Sequence, residues 1–243
     1  MGLNRKSIMT GGRPVFRMGV ALAMLTGVLL SAGTPARAAS EEAIEAQKIV
    51  DRAVVTLERL YLDDNFQRHM LPKIRRARAV LVVPSLVKAG FILGAEYGNG
   101  VLMARDPGTT RFTGPAFFKV VAGSIGLQAG VQEAEVVFII MTDRGLSAVL
   151  DNRFKAGAGV SVAFIRGVGI EAATTSNIGA DIYAFALTTG LFGGGALDGT
   201  VIEPRTDWNN HFYGDVQADT RAILFERRFG NPGADRLQEI LDR

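Results

Sequence analysis

There is no cysteine in these 243 residues, and there are only two histidines and one tryptophan. The missing thiols exclude disulfides, zinc-thiolate sites and a lipid-modified N-terminal cysteine. With His69 and His211 as the whole imidazole supply, no HxxxH or paired His-acid signature points to a metal. Long hydrophobic runs are lacking too. Met18 to Leu30 is an apolar stretch of 13 residues, well short of the ~20 that span a bilayer as a helix.

That short run sits in the layout of an export signal. Arg5, Lys6, Arg13 and Arg17 precede it, and Ala36-Arg37-Ala38 follows as a small-x-small cleavage pattern. The expectation is a signal peptide over residues 1–38, cleaved before Ala39, and a protein exported to the periplasm or envelope. This segment holds five of the 27 basic residues and no acid, which leaves 22 basic against 24 acidic residues in the remainder. The formal charge of +3 therefore belongs to the leader, and the large positive surface a nucleic-acid partner needs is missing. About 205 residues remain, enough to bury the core of one ordinary domain without disulfides.

Ser40 followed by Glu41 and Glu42 is a helix start, a capping hydroxyl and then acids where the helix dipole is positive. Ala46, Ile49, Val50, Ala53, Leu57 and Leu60 recur at helical spacing through about Tyr61. The stripe serves burial or a membrane surface equally well, which makes Ile49, Val50, Leu57 and Leu60 membrane-facing candidates. Asp63-Asp64-Asn65 ends or bends this helix. Between Arg68 and Arg78 come Arg68, His69, Lys73, Arg75, Arg76 and Arg78 with no acid among them. Near an anionic membrane each such cation adds about 1 kcal/mol of attraction; away from one, the run is a solvated face.

From Ala79 the period changes. Ala79 to Val83 reads as a strand stopped by Pro84, and Phe91–Tyr97 with Val101–Ala104 as a hairpin around Gly98-Asn99-Gly100. Asp106-Pro107-Gly108 is a turn, and Ala134 to Met141 is a strand apolar on both faces. Thr142 or Asp143 caps a short helix over 144–150. Strand patterns return at 158–166, 167–173, 181–188 and 199–202. Twenty of the 29 glycines lie between Gly90 and Gly199, which argues for bulges and sharp curvature. After Pro204 the chain turns polar and aromatic. Helical character follows over 216–227, and Asn231-Pro232 opens a terminal helix carrying Leu237, Ile240 and Leu241. The expected fold is α+β, a single domain with a strongly curved, mostly antiparallel β-sheet or partial barrel. Residues 39–78 form an N-terminal helical segment, 79–204 the glycine-rich β core, and 205–243 a C-terminal helical segment.

Catalysis has one candidate. Ala122-Gly123-Ser124-Ile125-Gly126 resembles a nucleophile elbow with alanine in place of the first glycine. The residues after Ser124 read as strand, and only His69 or His211 could act as base. Gly193-Gly194-Gly195 is not followed by the Lys-Ser or Lys-Thr of a phosphate loop, and Gly157/Gly159 and Gly167/Gly169 are weak dinucleotide signals. The expectation is no catalytic residue, no metal and no cofactor.

Several ordered blocks carry a resemblance. VLVVPSLVKAGFILGAEYGNGVL, GPAFFKVVAGSIGLQAG, the acid-containing loop after VVFIIMTD, DIYAFALTTGLFGGGALDGTVI, and Asn209 or Asn210 through Tyr213-Gly214 together resemble the SYLF family, also described as an actin-regulator domain in fungi. The similarity spans roughly Ile49 to Phe225. It implies binding and not catalysis. Eukaryotic members associate with phosphoinositides through an N-terminal amphipathic helix with basic residues, and some fungal ones bind actin. Carried over, the resemblance makes Arg68, Lys73, Arg75, Arg76 and Arg78, with Lys88 in addition, the lipid-headgroup candidates. Where many members have tryptophan in a W-S-x-P block, this chain has Phe112-Thr113-Gly114-Pro115, so that corner is expected to pack differently. The leader argues against actin as a partner. The expected function is non-enzymatic binding of anionic phospholipid at a bacterial envelope. The alternatives are a structural or protein-interaction module with an envelope protein partner, and a hydrolase using Ser124.

Overall fold

The computed structural model describes residues 40–90, 93–125, 130–151, 154, 159–166, 179–189 and 200–243. The expected leader, the strand expected over 167–173 and the Gly193–Gly195 run lie outside them. Residues 38–243 gather into one compact unit.

Its centre is a seven-stranded sheet curled into a half-barrel. The strands are β1 (Ala79–Gly90), β2 (Leu93–Arg105), β3 (Phe112–Ile125), β4 (Gly130–Ile140), β5 (Val162–Arg166), β6 (Ile182–Thr189) and β7 (Val201–Pro204). They lie in the order β5-β6-β4-β1-β2-β3-β7. Every pairing is antiparallel except β5 with β6.

β1 does not stop at Pro84. It runs on to Gly90, and the register against both neighbours slips across Val83–Ser85, so Pro84 has no cross-strand partner on either side. A bulge is where a central strand tolerates a residue without an N–H. Gly98-Asn99-Gly100 is likewise no hairpin turn, since β2 passes straight through it. The two glycines answer the bulge opposite. A Cβ at Gly98 would stand 2.5 Å from the Ser85 carbonyl oxygen, and one at Gly100 2.6 Å from that of Val82. Asp106-Pro107-Gly108 does turn, with Asp106 Oδ1 accepting from the Gly108 N–H at 2.9 Å.

Alternation along the strands divides the apolar residues between two cores. On one face Leu81, Leu102, Phe118 and Phe138 pack with α4 (Asp143–Leu150) and α6 (Thr220–Leu224). On the other, Val80, Val82, Val101, Met103, Phe117 and Val137 meet a helical layer. That layer is α1 (Glu41–Leu60), α2 (Asp64–His69), α3 (Leu71–Ile74), α5 (Thr206–Tyr213) and α7 (Asp235–Leu241). Helix α5 falls within the expected C-terminal helical segment, although TDWNNHFY reads only as polar and aromatic; Trp208, Asn209 and Phe212 form its buried side. The caps that were expected are present. Ser40, Thr142 and Asn231 each accept a backbone N–H at the head of α1, α4 and the 3-10 turn leading into α7.

Candidate functional site

The apolar stripe of α1 is core. Ile49, Val50, Leu57 and Leu60 are buried against the sheet and the neighbouring helices. This corrects their reading as membrane-facing: side chains on the stripe of a 20-residue helix that packs on β1, β2, α5 and α7 are already taken out of water by the fold. The free side of α1 is the opposite one. At ~100° per residue, Ile44 and Val55, spaced 11 apart, fall within about 20° of one another, and Leu62 follows two residues past the helix end. All three are exposed, Leu62 most, at 83%.

Beyond Leu62 the chain breaks direction because Asp63 caps α2, its Oδ1 accepting from the Phe66 N–H at 2.8 Å. Phe66, Met70 and Ile74 are buried beneath α2 and α3, and this anchoring turns the polar residues between them outward. Arg68, Arg75, Arg76 and Arg78 are exposed. Arg78 is paired with Asp143 at 2.8 Å, a hydrogen bond that raises its pKa. Lys73 is half-buried, its Nζ 4.5 Å from the centre of the Tyr183 ring. Arg68 Nη2 lies 3.3 Å from Asn65 Oδ1. Among the described residues Arg68, Arg75 and Arg76 have no carboxylate partner within salt-bridge distance.

The fold adds a group from the far end of the sequence. Tyr61 Oη donates to the Ile240 carbonyl at 3.0 Å, which ties the end of α1 to α7. Burial pushes the Tyr61 hydroxyl up, while the charges of Arg243 and Arg75 pull it down. Leu62, which follows Tyr61, is exposed at this corner and was not singled out in the sequence. The signal for Leu62 was faint, a large apolar residue off the buried stripe just before a cap.

Lys88 does not join them. It lies ten residues further along β1, half-buried, with its Nζ 3.5 Å from the carboxylate of the buried Glu96. This corrects its reading as a headgroup ligand: its charge is engaged inside the fold. Burial raises the Glu96 pKa, and Lys88 opposes that shift. Ser124 is no elbow. Its backbone continues β3, paired with Gly94, where a nucleophile elbow needs a strand-to-helix turn. His211 stands on α5, its Nδ1 2.8 Å from the Asp207 carbonyl oxygen, and His69 stands on α2.

The corner carrying Phe112-Thr113-Gly114-Pro115 is held by the C-terminal segment. Thr113 Oγ1 lies 2.7 Å from the Leu224 carbonyl oxygen, and Tyr213 Oη donates to that of Pro115 at 2.7 Å. Two anionic hubs are structural as well. Asp106 accepts from Gly108, Thr109 and Arg227, and Asp181 from Thr142, Arg144 and Ser161.

Among the described residues no group of three or more His, Asp or Glu could hold a metal ion. None of their helices is long and apolar enough to cross a membrane. A curled sheet, a helical layer and a basic corner make up this α+β domain. Residues 121–243 match the family profile of Ysc84, the Las17-binding protein actin regulators. The chain belongs to this family, which carries the SYLF domain. It is 30% identical to the SH3 domain-containing YSC84-like protein 1 of Xenopus laevis over 83% of this chain and 59% of that protein. It is also 30% identical to protein YSC84 of Saccharomyces cerevisiae over 70% of this chain and 36% of that protein. LAS seventeen-binding protein 3 of the same yeast is 29% identical, with 37% of its length covered. The chain thus spans less than two thirds of the relatives it matches.

Proposed function

We propose that this chain is a non-enzymatic membrane-binding module. It recognises anionic phospholipid headgroups through the corner between the end of α1 and the start of β1, in the envelope if residues 1–38 direct export. One observation carries the reading: Arg68, Arg75 and Arg76 are exposed and without ion pairs among the described residues, in the segment that follows the exposed Leu62. A phosphate-rich surface satisfies all three at once, and each cation near it adds about 1 kcal/mol. Lys73 and Arg78, already engaged with Tyr183 and Asp143, are secondary contributors.

Co-sedimentation of residues 38–243 with neutral and anionic vesicles tests this, at low and high salt. The expected result is salt-sensitive pelleting with anionic vesicles that is lost in the variant Arg68→Gln/Arg75→Gln/Arg76→Gln. Unchanged pelleting of that variant refutes the residue assignment. A protein partner is the second reading, favoured by relatives whose names record binding to Las17. Capture of one stoichiometric envelope protein, with no lipid-vesicle binding, would establish it instead.

A further inference from the structure

The helical layer covers only the half of its sheet face that lies near Ala79. Toward Gly90 no described helix covers the same face of β1, β2 and β3, and its polarity changes row by row. The first row is polar: Ser85, Asn99, Lys119 and Glu203 pair across β1, β2, β3 and β7. One step on, ~7 Å along the strands, the row is Val87, Tyr97, Val121 and Val201. Val87, Tyr97 and Val121 are 37%, 48% and 38% exposed, directly opposite one another. Glu133 of β4 closes this row at its end. The next row is small and exposed: Ala89, Ala95 and Gly123.

Tyr97 follows the same gradient. Its hydroxyl donates back to Asn99 Oδ1 in the polar row at 3.2 Å, so the polar end of the side chain is directed away from the row of small residues. Such ordering, a polar row with the Lys119–Glu203 ion pair, then an aromatic with its polar end toward water, then small apolar groups, matches the profile of a membrane interface. Protein interfaces instead ring an apolar centre with polar residues.

We infer that the Gly90 end of the sheet is a second lipid-contacting surface, one that enters the apolar boundary of a bilayer with Val87, Tyr97 and Val121 at its waterline. It is separate from the basic corner. Arg75, Arg76 and Arg78 precede Ala79 at the other end of β1, and the 11 steps to Gly90 span about 36 Å.

The absence of cysteine permits a direct test. Residues 38–243 with Ala95→Cys are labelled with an environment-sensitive nitrobenzoxadiazole dye. They are then mixed with phosphatidylcholine vesicles in 1 M salt, where the Debye length of ~3 Å silences headgroup electrostatics. A dye at Val216→Cys, another exposed position, is the control. The expected result is a blue shift and protection from aqueous iodide at position 95 only. That shift should be lost when Tyr97→Asp and Val121→Asp are added, and kept in the triple arginine variant. No shift at 95 overturns the inference, as does a shift that arises without vesicles and grows with protein concentration, which would mark a second copy as the occupant. Retention of the shift at 95 alongside unaltered anionic pelleting of the triple arginine variant would refute the basic corner and leave this surface standing.

Discussion

Asn209 Oδ1 accepts the backbone N–H of Phe117 at 2.8 Å, and the Arg205 N–H donates to the Phe117 carbonyl at 2.8 Å. β7 pairs with β3 only from Phe118 to Val121. At Phe117 the head of α5 therefore takes over the role of a strand, with a side chain standing in for a backbone carbonyl. Both groups are buried, so the ladder ends without orphaned atoms on Phe117.

Asn209→Ala should accordingly cost about 1–3 kcal/mol, the penalty for leaving a buried donor unsatisfied. The check is urea denaturation, with the midpoint moving down at unchanged slope. A loss below ~0.5 kcal/mol would mean that water or a shifted backbone replaces the amide.

Asp181 should make stability depend on acid. Burial by itself would raise its carboxyl, but hydrogen bonds from Arg144, Thr142 and Ser161 outweigh that and hold it well below the usual carboxylate range. The unfolded reference lies near ~3.9. Its contribution is therefore complete above that pH and is lost as the pH falls below it. Asp181→Asn should cost about 2–3 kcal/mol at pH 7 through weakened charge-assisted bonds. The difference from wild type should shrink toward pH 3 in chemical denaturation.

Gly98→Ala forces a methyl against the Ser85 carbonyl oxygen at 2.5 Å, backbone against backbone in the middle of the sheet. Destabilisation of about 1–3 kcal/mol or more is expected. Gly123→Ala, where nothing lies within 4 Å, should change the melting temperature little. Equal effects at the two positions would refute the close-approach account.

The two sides of α1 should separate stability from binding. Leu57→Ala empties a fully buried position and should cost about 2–5 kcal/mol. Leu62→Ser, at an exposed one, should stay within ~0.5 kcal/mol while weakening vesicle binding. Loss of stability at Leu62 with no change in binding would place it in the fold and not at the membrane.

Local chemistry was legible wherever neighbours in sequence decide the outcome. Ser40, Thr142 and Asn231 cap because a short oxygen side chain lies next to its own orphan N–H groups, and Asp106-Pro107-Gly108 turns for the same reason. Legibility failed where a partner strand decided. Pro84 reads as a stop and Gly98-Asn99-Gly100 as a turn, yet each is explained by the other across the β1–β2 pairing. Helix α5 was not singled out within the expected C-terminal helical segment because its buried side is built from Trp208, Asn209 and Phe212, one of them polar, with its Oδ1 engaged by β3. Arg68, Arg75 and Arg76 could be picked out as a basic run, but pairing with Asp143, Tyr183 and Glu96 is what removed Arg78, Lys73 and Lys88 from equal standing.

Sequence alone determined that this is an α+β chain without thiols, rich in curved strand, with a basic run before the first strand and a family resemblance along most of its length. It could not say which side of α1 is free. A stripe of Ile49, Val50, Leu57 and Leu60 at helical spacing is equally suited to a protein core or a lipid surface, because the hydrophobic effect has no direction. Only the tertiary structure decided it, by placing a sheet against that stripe and leaving Ile44, Val55 and Leu62 on the outside.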